Sequence, residues 1–189
     1  MKRILLLGLL AGVAISTGCI STVAKQAYYG ATGASGRYFE IRNLGTASAL
    51  DRYAAVQIDP FDPSPMLGAI PAEVASAAQP EIIDHLTKSG LFTQVAARTT
   101  ARPALVVRGK FVDYDPGGSV VRAVYGANPM LSAQIEIVDA DTGRVLGVAM
   151  ASATIQSVVR TNPTELGAGL GKAIKGLLSS HMTRKPQKD

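Results

Sequence analysis

The side chains able to do acid–base or metal chemistry are few and scattered. The 189 residues hold two histidines, His85 and His181, and one cysteine, Cys19. Carboxylates form two close pairs, Asp113 with Asp115 and Asp139 with Asp141, each beside a proline or a glycine. Such pairs can hold Ca²⁺ or divide general acid and base work, with His85 as a second base. The same D-x-D spacing is also ordinary turn chemistry, in which an Asp oxygen accepts from a backbone amide two residues on, and the pairs are read as turns. His85 stands between Asp84 and Lys88 with no nucleophile or orienting partner nearby in the chain, so it reads as a boundary residue. His181 falls at a helix end, where a cation complements the dipole. The run Gly167 to Lys172, GAGLGK, approaches a phosphate loop, but Leu166 replaces its first glycine and Ala173 the hydroxyl that would hold Mg²⁺. No G-x-S-x-G elbow is present. One thiol excludes both an internal disulfide and a Cys/His zinc site. No catalytic, cofactor-binding or metal residue is assigned, no cofactor is expected, and the chain reads as non-enzymatic.

Cys19 has a different context. Lys2 and Arg3 precede an uncharged apolar run, Ile4 to Ile15, followed by small and polar residues. This is the layout of a secretory signal, and the run falls short of the ~20 apolar residues that span a bilayer. Ser16-Thr17-Gly18-Cys19 resembles a bacterial lipobox, with Ser16 in place of the preferred leucine. The resemblance implies cleavage before Cys19 and a diacylglyceryl thioether on its sulfur. Each buried methylene contributes ~0.8 kcal/mol, so two or three acyl chains anchor a protein stably. Ile20 rather than Asp follows the cysteine, which by analogy with enterobacterial sorting favours the inner leaflet of the outer membrane, facing the periplasm. The expected organisation is a lipoprotein signal peptide over 1–18, a tether over 19–37, a single domain over 38–183 and a basic tail over 184–189.

Loss of Lys2 and Arg3 lowers the formal charge from +5 to +3, so the basicity is mild and concentrates near the C-terminus, at Lys172, Lys175, Arg184, Lys185 and Lys188. Aromatic residues interleaved on a basic surface, as single-stranded nucleic acid requires, are not visible, and nucleic acid is not an expected partner. Tyr28, Tyr29, Tyr38 and Phe39 cluster around the tether, placed either to rest on a lipid interface or to pack on the domain edge.

The elements that must position these residues follow from hydrophobic period. Strands are expected over 38–44, 52–58, 104–115, 131–139 and 144–156, the last two joined by the turn Ala140-Asp141-Thr142-Gly143. Residues 72–89 carry apolar side chains every fourth place, with Pro80 expected to kink or divide the helix and Gly90 to end it. Asn162-Pro163-Thr164-Glu165 reads as cap, first-turn proline and capping-box glutamate for a second helix. Gly167 and Gly171 on that helix are expected to pack closely on the small residues Gly147, Ala149, Ala151 and Ala153. The fold class is α/β (α+β), a two-layer sandwich with a mixed or antiparallel sheet of about four to five strands and two main helices on one face.

A strand ending in Asp59-Pro60-Phe61, then L-x-x-x-G-L-F-x-x-V from Leu86 to Val95, G-K-F-V-D-Y-D-P-G-G-S-x-x-R from Gly109 to Arg122, and I-V-D-A-D-T-G-R-V-L from Ile137 to Leu146 resemble bacterial envelope lipoproteins of the domain of unknown function 4410 type. The resemblance implies an α/β sandwich similar to domains of envelope-assembly lipoproteins, and it carries no catalytic residue. The expected function is a lipid-anchored, periplasm-facing protein with a binding or assembly role toward an envelope protein or peptidoglycan. A secretion-associated or pore-forming homo-oligomer and a hydrolase using the strand-end carboxylates are the alternatives.

Overall fold

The computed structural model describes residues 33–64, 69–117, 128–155, 162 and 164–183. The signal, Cys19, most of the tether, Ser119 and Arg122 of the glycine-rich motif, and the tail over 184–189 lie outside the described residues. The elements are β1 (Ala34–Arg42), β2 (Ala55–Ile58), α1 (Ala72–Thr87), β3 (Gln94–Ala96), β4 (Ala104–Asp115), β5 (Met130–Asp139), β6 (Val145–Ile155) and α2 (Glu165–Ser180). They form one six-stranded sheet in the order β1-β6-β5-β4-β2-β3. β2 runs parallel to β3 and β4, and the other neighbours are antiparallel, so the sheet is mixed. This is the α+β sandwich expected, with one more strand. The addition is β3, whose three residues are too few to show a period.

Alternation in β5 and β6 sorts the sheet into two faces. Leu131, Ala133, Ile135 and Ile137, with Ala149, Ala151, Ala153 and Ile155, are buried toward the helices, whereas Ser132, Gln134, Glu136, Val148, Met150 and Ser152 are half-buried on the other face. Both helices lie on the first face. Val74, Ala78, Ile82 and Leu86 of α1 recur at helical spacing and are buried, as are Leu166, Leu170, Ile174, Leu177 and Leu178 of α2. Pro80 does not divide α1. It sits on the exposed side of a continuous helix, where the carbonyl left without its amide partner faces water.

Close approach of backbone sets where α2 lies. A Cβ on Gly169 would come within 2.6 Å of the Ala153 Cβ and 2.9 Å of the Ser35 carbonyl oxygen, so this glycine seats α2 on β6 and β1. Gly167 and Gly171 instead face α1, at Ala77, Ala78 and Glu81 and at His85 respectively. The G-x-x-x-G pair, expected to pack on the sheet, therefore makes the helix–helix contact instead, and the intervening Gly169 makes the helix–sheet contact.

The tether boundary also moves. Ala34 to Arg37 belong to β1, paired with Ile155 to Ser152 of β6. Gly36 is a packing glycine and not a linker one: a Cβ there would lie 2.0 Å from the Gly169 carbonyl oxygen and 2.7 Å from the Ala173 amide nitrogen. Lys172 Nζ donates to the Ala34 carbonyl at 2.7 Å, tying the start of β1 to the same helix.

Candidate functional site

The four carboxylates do not converge. β4 and β5 pair Leu105 with Asp139 and Asp115 with Met130, so the two Asp pairs sit at opposite ends of the sheet. Ten residues along β4 separate them, about 33 Å at ~3.3 Å per residue. Asp113 lies beside a bulge opposite Ser132. Asp115 Oδ1 accepts from the Gly117 amide at 2.8 Å, and Asp139 Oδ1 accepts from the Asp141 and Thr142 amides at 3.0 Å each. One carboxylate of each pair, Asp115 and Asp139, does turn work. Gly143 closes the second turn at φ 68°, a left-handed backbone that glycine adopts without strain.

Asp139 is more than a turn residue. It is only 4% exposed, and its second oxygen accepts from the Tyr53 hydroxyl at 2.6 Å and from Arg52 at 2.7 Å. The Tyr53 hydroxyl bond, with the Thr142 and Asp141 amides, holds this carboxyl far below the usual carboxylate range against the opposing effect of burial. Burial, and then the bond to Asp139, push the Tyr53 phenol up. Tyr53 is itself fully buried among the largest core side chains. The cluster fastens the chain entering β2 to the β5–β6 turn. Neighbouring Arg102 pairs with Asp141 at 2.6 Å, so both carboxylates of the turn are engaged by arginines.

His85 stands on α1 against Gly171 of α2. Burial, and then the charge of Lys172, lower its pKa, with Asp84 and Glu81 opposing. The carboxylates that act most on it, Asp84 and Glu81, belong to its own helix and not to the strand ends. His181 ends α2 and is 6% exposed, its Nε2 2.9 Å from Glu40 Oε1 of β1. The Leu50 amide donates to the His181 carbonyl at 3.1 Å, and Thr183 donates through amide and hydroxyl to Asp51. These contacts dock the 44–53 loop on the end of α2. His181 therefore makes a specific side-chain contact from the end of α2 across to β1. GAGLGK lies in the first turns of α2 with Lys172 committed to Ala34, which is helix packing and not a phosphate cradle. Among the described residues, no cluster of three or more His, Cys, Asp or Glu could hold a metal ion, and no helix is long and apolar enough to cross a membrane.

What remains is the sheet face that the helices leave open. A shallow groove of about 180 Å³ is lined there by Arg108, Gly109, Lys110, Gln134 and Glu136. Register places Arg108 opposite Glu136 and Lys110 opposite Gln134, while Arg108 also reaches Asp59 at 3.4 Å. Next to it on the same face stand Val148 and Met150, and beyond them β1, where Phe39 pairs with Met150 and Arg42 with Val148. Charged, amide and apolar side chains are spread over a shallow surface here.

The fold resembles that of a variant PelC dodecamer from Paraburkholderia phytofirmans, with a TM-score of 0.51 and 17% identity, covering 80% of this chain and 99% of that one. A second crystal form of that dodecamer aligns with a TM-score of 0.49 and 15% identity, over the same shares of the two chains. A protein from Xanthomonas campestris in the family DUF330 aligns with a TM-score of 0.40 and 8% identity, over 68% of this chain and 81% of that one. A search of curated protein sequences finds no match. Residues 46–157 match the domain of unknown function DUF4410, a span that runs from the loop before β2 to the end of β6 and takes in the Asp139 cluster and the groove. By that match the chain belongs to the DUF4410 family.

Proposed function

We propose that the protein is a lipid-anchored, periplasm-facing, non-enzymatic module of the cell envelope. Its acyl chains are carried on Cys19, and its open sheet face binds an envelope protein or peptidoglycan. The observation that carries this reading is the broad sheet face itself, polar and charged around Arg108, Lys110, Gln134 and Glu136, in a domain whose candidate catalytic groups lie apart. The lipobox-like Ser16 to Cys19 supports the anchor, and a sorting residue other than Asp at position 20 supports the inner leaflet of the outer membrane.

A second reading, self-assembly into a homo-oligomer, is favoured by the likeness to a PelC dodecamer over nearly the whole of that chain. One experiment addresses both. A photocrosslinking amino acid in place of Gln134, in intact cells, is expected to give a discrete adduct of higher mass. An adduct with another copy, together with detergent-solubilised protein that sizes as a multimer, supports the oligomer. An adduct with a different envelope component supports the binding module. Absence of any adduct from this face, with a monomer in detergent, contradicts both.

A further inference from the structure

Among the described residues, the exposed large hydrophobic side chains all belong to one strand, the edge strand β1. Phe39 is 71% exposed and Ile41 57%, while Tyr38 is 38% exposed with its ring near Gly176 of α2. The aromatic residues at 38 and 39 thus serve two ends. Tyr38 packs on the helix layer, and Phe39 stands on the open face opposite Met150. A bulge places Ile41 between Glu40 and Arg42, the latter opposite Val148, and Arg37 stands opposite Ser152. The open margin therefore reads Arg37, Phe39, Ile41 and Arg42, with Val148 and Met150 behind.

Charge on this margin has one sign. Glu40, the strand's acidic residue, turns to the other face and pairs with His181. Arg37 and Arg42 flank the apolar pair, the composition that suits an anionic lipid interface: rings and aliphatic groups at headgroup level, guanidiniums on phosphates. Position agrees with composition. β1 begins fifteen residues after Cys19, so the intervening chain reaches at most ~50 Å and in a flexible state spans about 21 Å. Held by acyl chains on Cys19, the domain cannot stray far from the bilayer, and its first strand is the element nearest the anchor in the chain. At the far end of β1, α2 terminates beside Glu40, and from Thr183 the sequence continues into Arg184, Lys185 and Lys188.

We propose that the Arg37–Phe39–Ile41–Arg42 margin of β1 docks on an anionic bilayer surface and fixes how the anchored domain sits on the membrane. The rest of the open face, around Gln134 and Lys110, is then turned toward its partner. The inference rests on the lipid-anchored reading for its biological setting, yet the surface can be tested without the anchor.

The chain contains no tryptophan, so Phe39→Trp introduces a single fluorescent reporter at a largely exposed position where the larger ring has room. In the chain starting at residue 19 and carrying Cys19→Ala, Trp emission is expected to shift to the blue on adding phosphatidylglycerol vesicles and to be quenched by brominated acyl chains. A Thr93→Trp control, exposed beside β3 at the opposite edge, is expected to do neither. Arg37→Ala and Arg42→Ala are each expected to lower vesicle partitioning about fivefold, the effect of ~1 kcal/mol per arginine at an anionic surface. Emission at position 39 that stays unshifted and unquenched in excess vesicles overturns the proposal. So does a blue shift without lipid that grows with protein concentration, since a second copy then covers the strand. Failure of the anchor is read separately, in the wild-type protein, as absence of lipid on Cys19.

Discussion

Gly36→Ala is expected to destabilise the domain by about 3 kcal/mol or more. The methyl group would sit 2.0 Å from the Gly169 carbonyl oxygen and 2.7 Å from the Ala173 nitrogen. Both are backbone atoms of α2, so no side-chain rotation relieves the contact. The helix would have to lift from β1 and β6, uncovering Leu170, Ile174 and the alanine row of β6, all now buried. Gly143→Ala is the matched control. Its left-handed φ of 68° carries a penalty of ~1–2 kcal/mol, but its Cβ meets no atom within 4 Å. Chemical denaturation of the two variants separates packing from backbone strain. Equal losses would show that α2 does not rest on Gly36.

Asp139→Ala is expected to cost about 3 kcal/mol at neutral pH, a fall of roughly 10 °C in Tm for a domain of this size. It strips one acceptor from four donors: the Asp141 and Thr142 amides, the buried Tyr53 hydroxyl and Arg52. Arg52 is well exposed and recovers water, whereas the Tyr53 hydroxyl is left without its acceptor in the core, and that group accounts for most of the loss. The effect depends on pH with a definite sign. The Asp139 carboxyl ionises at lower pH in the native state than in the unfolded chain. Its stabilisation is therefore complete above the unfolded value of about 3.9 and is lost as pH falls below it. Asp139→Asn, which keeps the shape, is expected to lose stability at pH 7 and to approach the wild type as acid titrates the latter. A constant difference between the two proteins from pH 7 to pH 2 would contradict the assigned role.

Much of this architecture is written in local sequence pattern. Residues 131–139 alternate so regularly that β5 and its pairing with β6 follow from period alone, and the glycine of Ala140-Asp141-Thr142-Gly143 takes the positive φ that a tight turn needs. The stripe from Leu166 to Leu178 specifies α2 and its buried side. Pattern is silent where contacts are distant in the chain. Gly36 stands in a run of glycine, alanine and serine that has tether composition. Only the folded arrangement, with Gly169 across from it, shows why the side chain must be hydrogen. Gly167 and Gly171 share one face of α2, but which neighbour that face meets depends on where α1 lies, and α1 takes it. Residues 94–96 pair because they lie parallel to β2 after the α1 crossover, and not through any period of their own.

The site was legible in the same uneven way. The turn chemistry of the Asp pairs followed from spacing. The engagement of Asp139 by Tyr53 did not, since 86 residues separate them. Arg52 and Tyr53 read as the opening of a strand, whereas β2 begins at Ala55 and both side chains are spent on the carboxylate. An arginine–tyrosine pair just ahead of a short buried strand was the available signal. His181 is similar: its place at the end of α2 was expected, and its contact with Glu40 on the first strand required the fold.

The proposed anchoring of this domain by acyl chains on Cys19 is tested most directly by labelled palmitate fed to cells expressing the full chain. Wild-type protein is expected to take up label and sediment with membranes, and Cys19→Ala to take up none and appear in the soluble fraction. A Cys19→Ala protein that still labels and sediments would contradict the account.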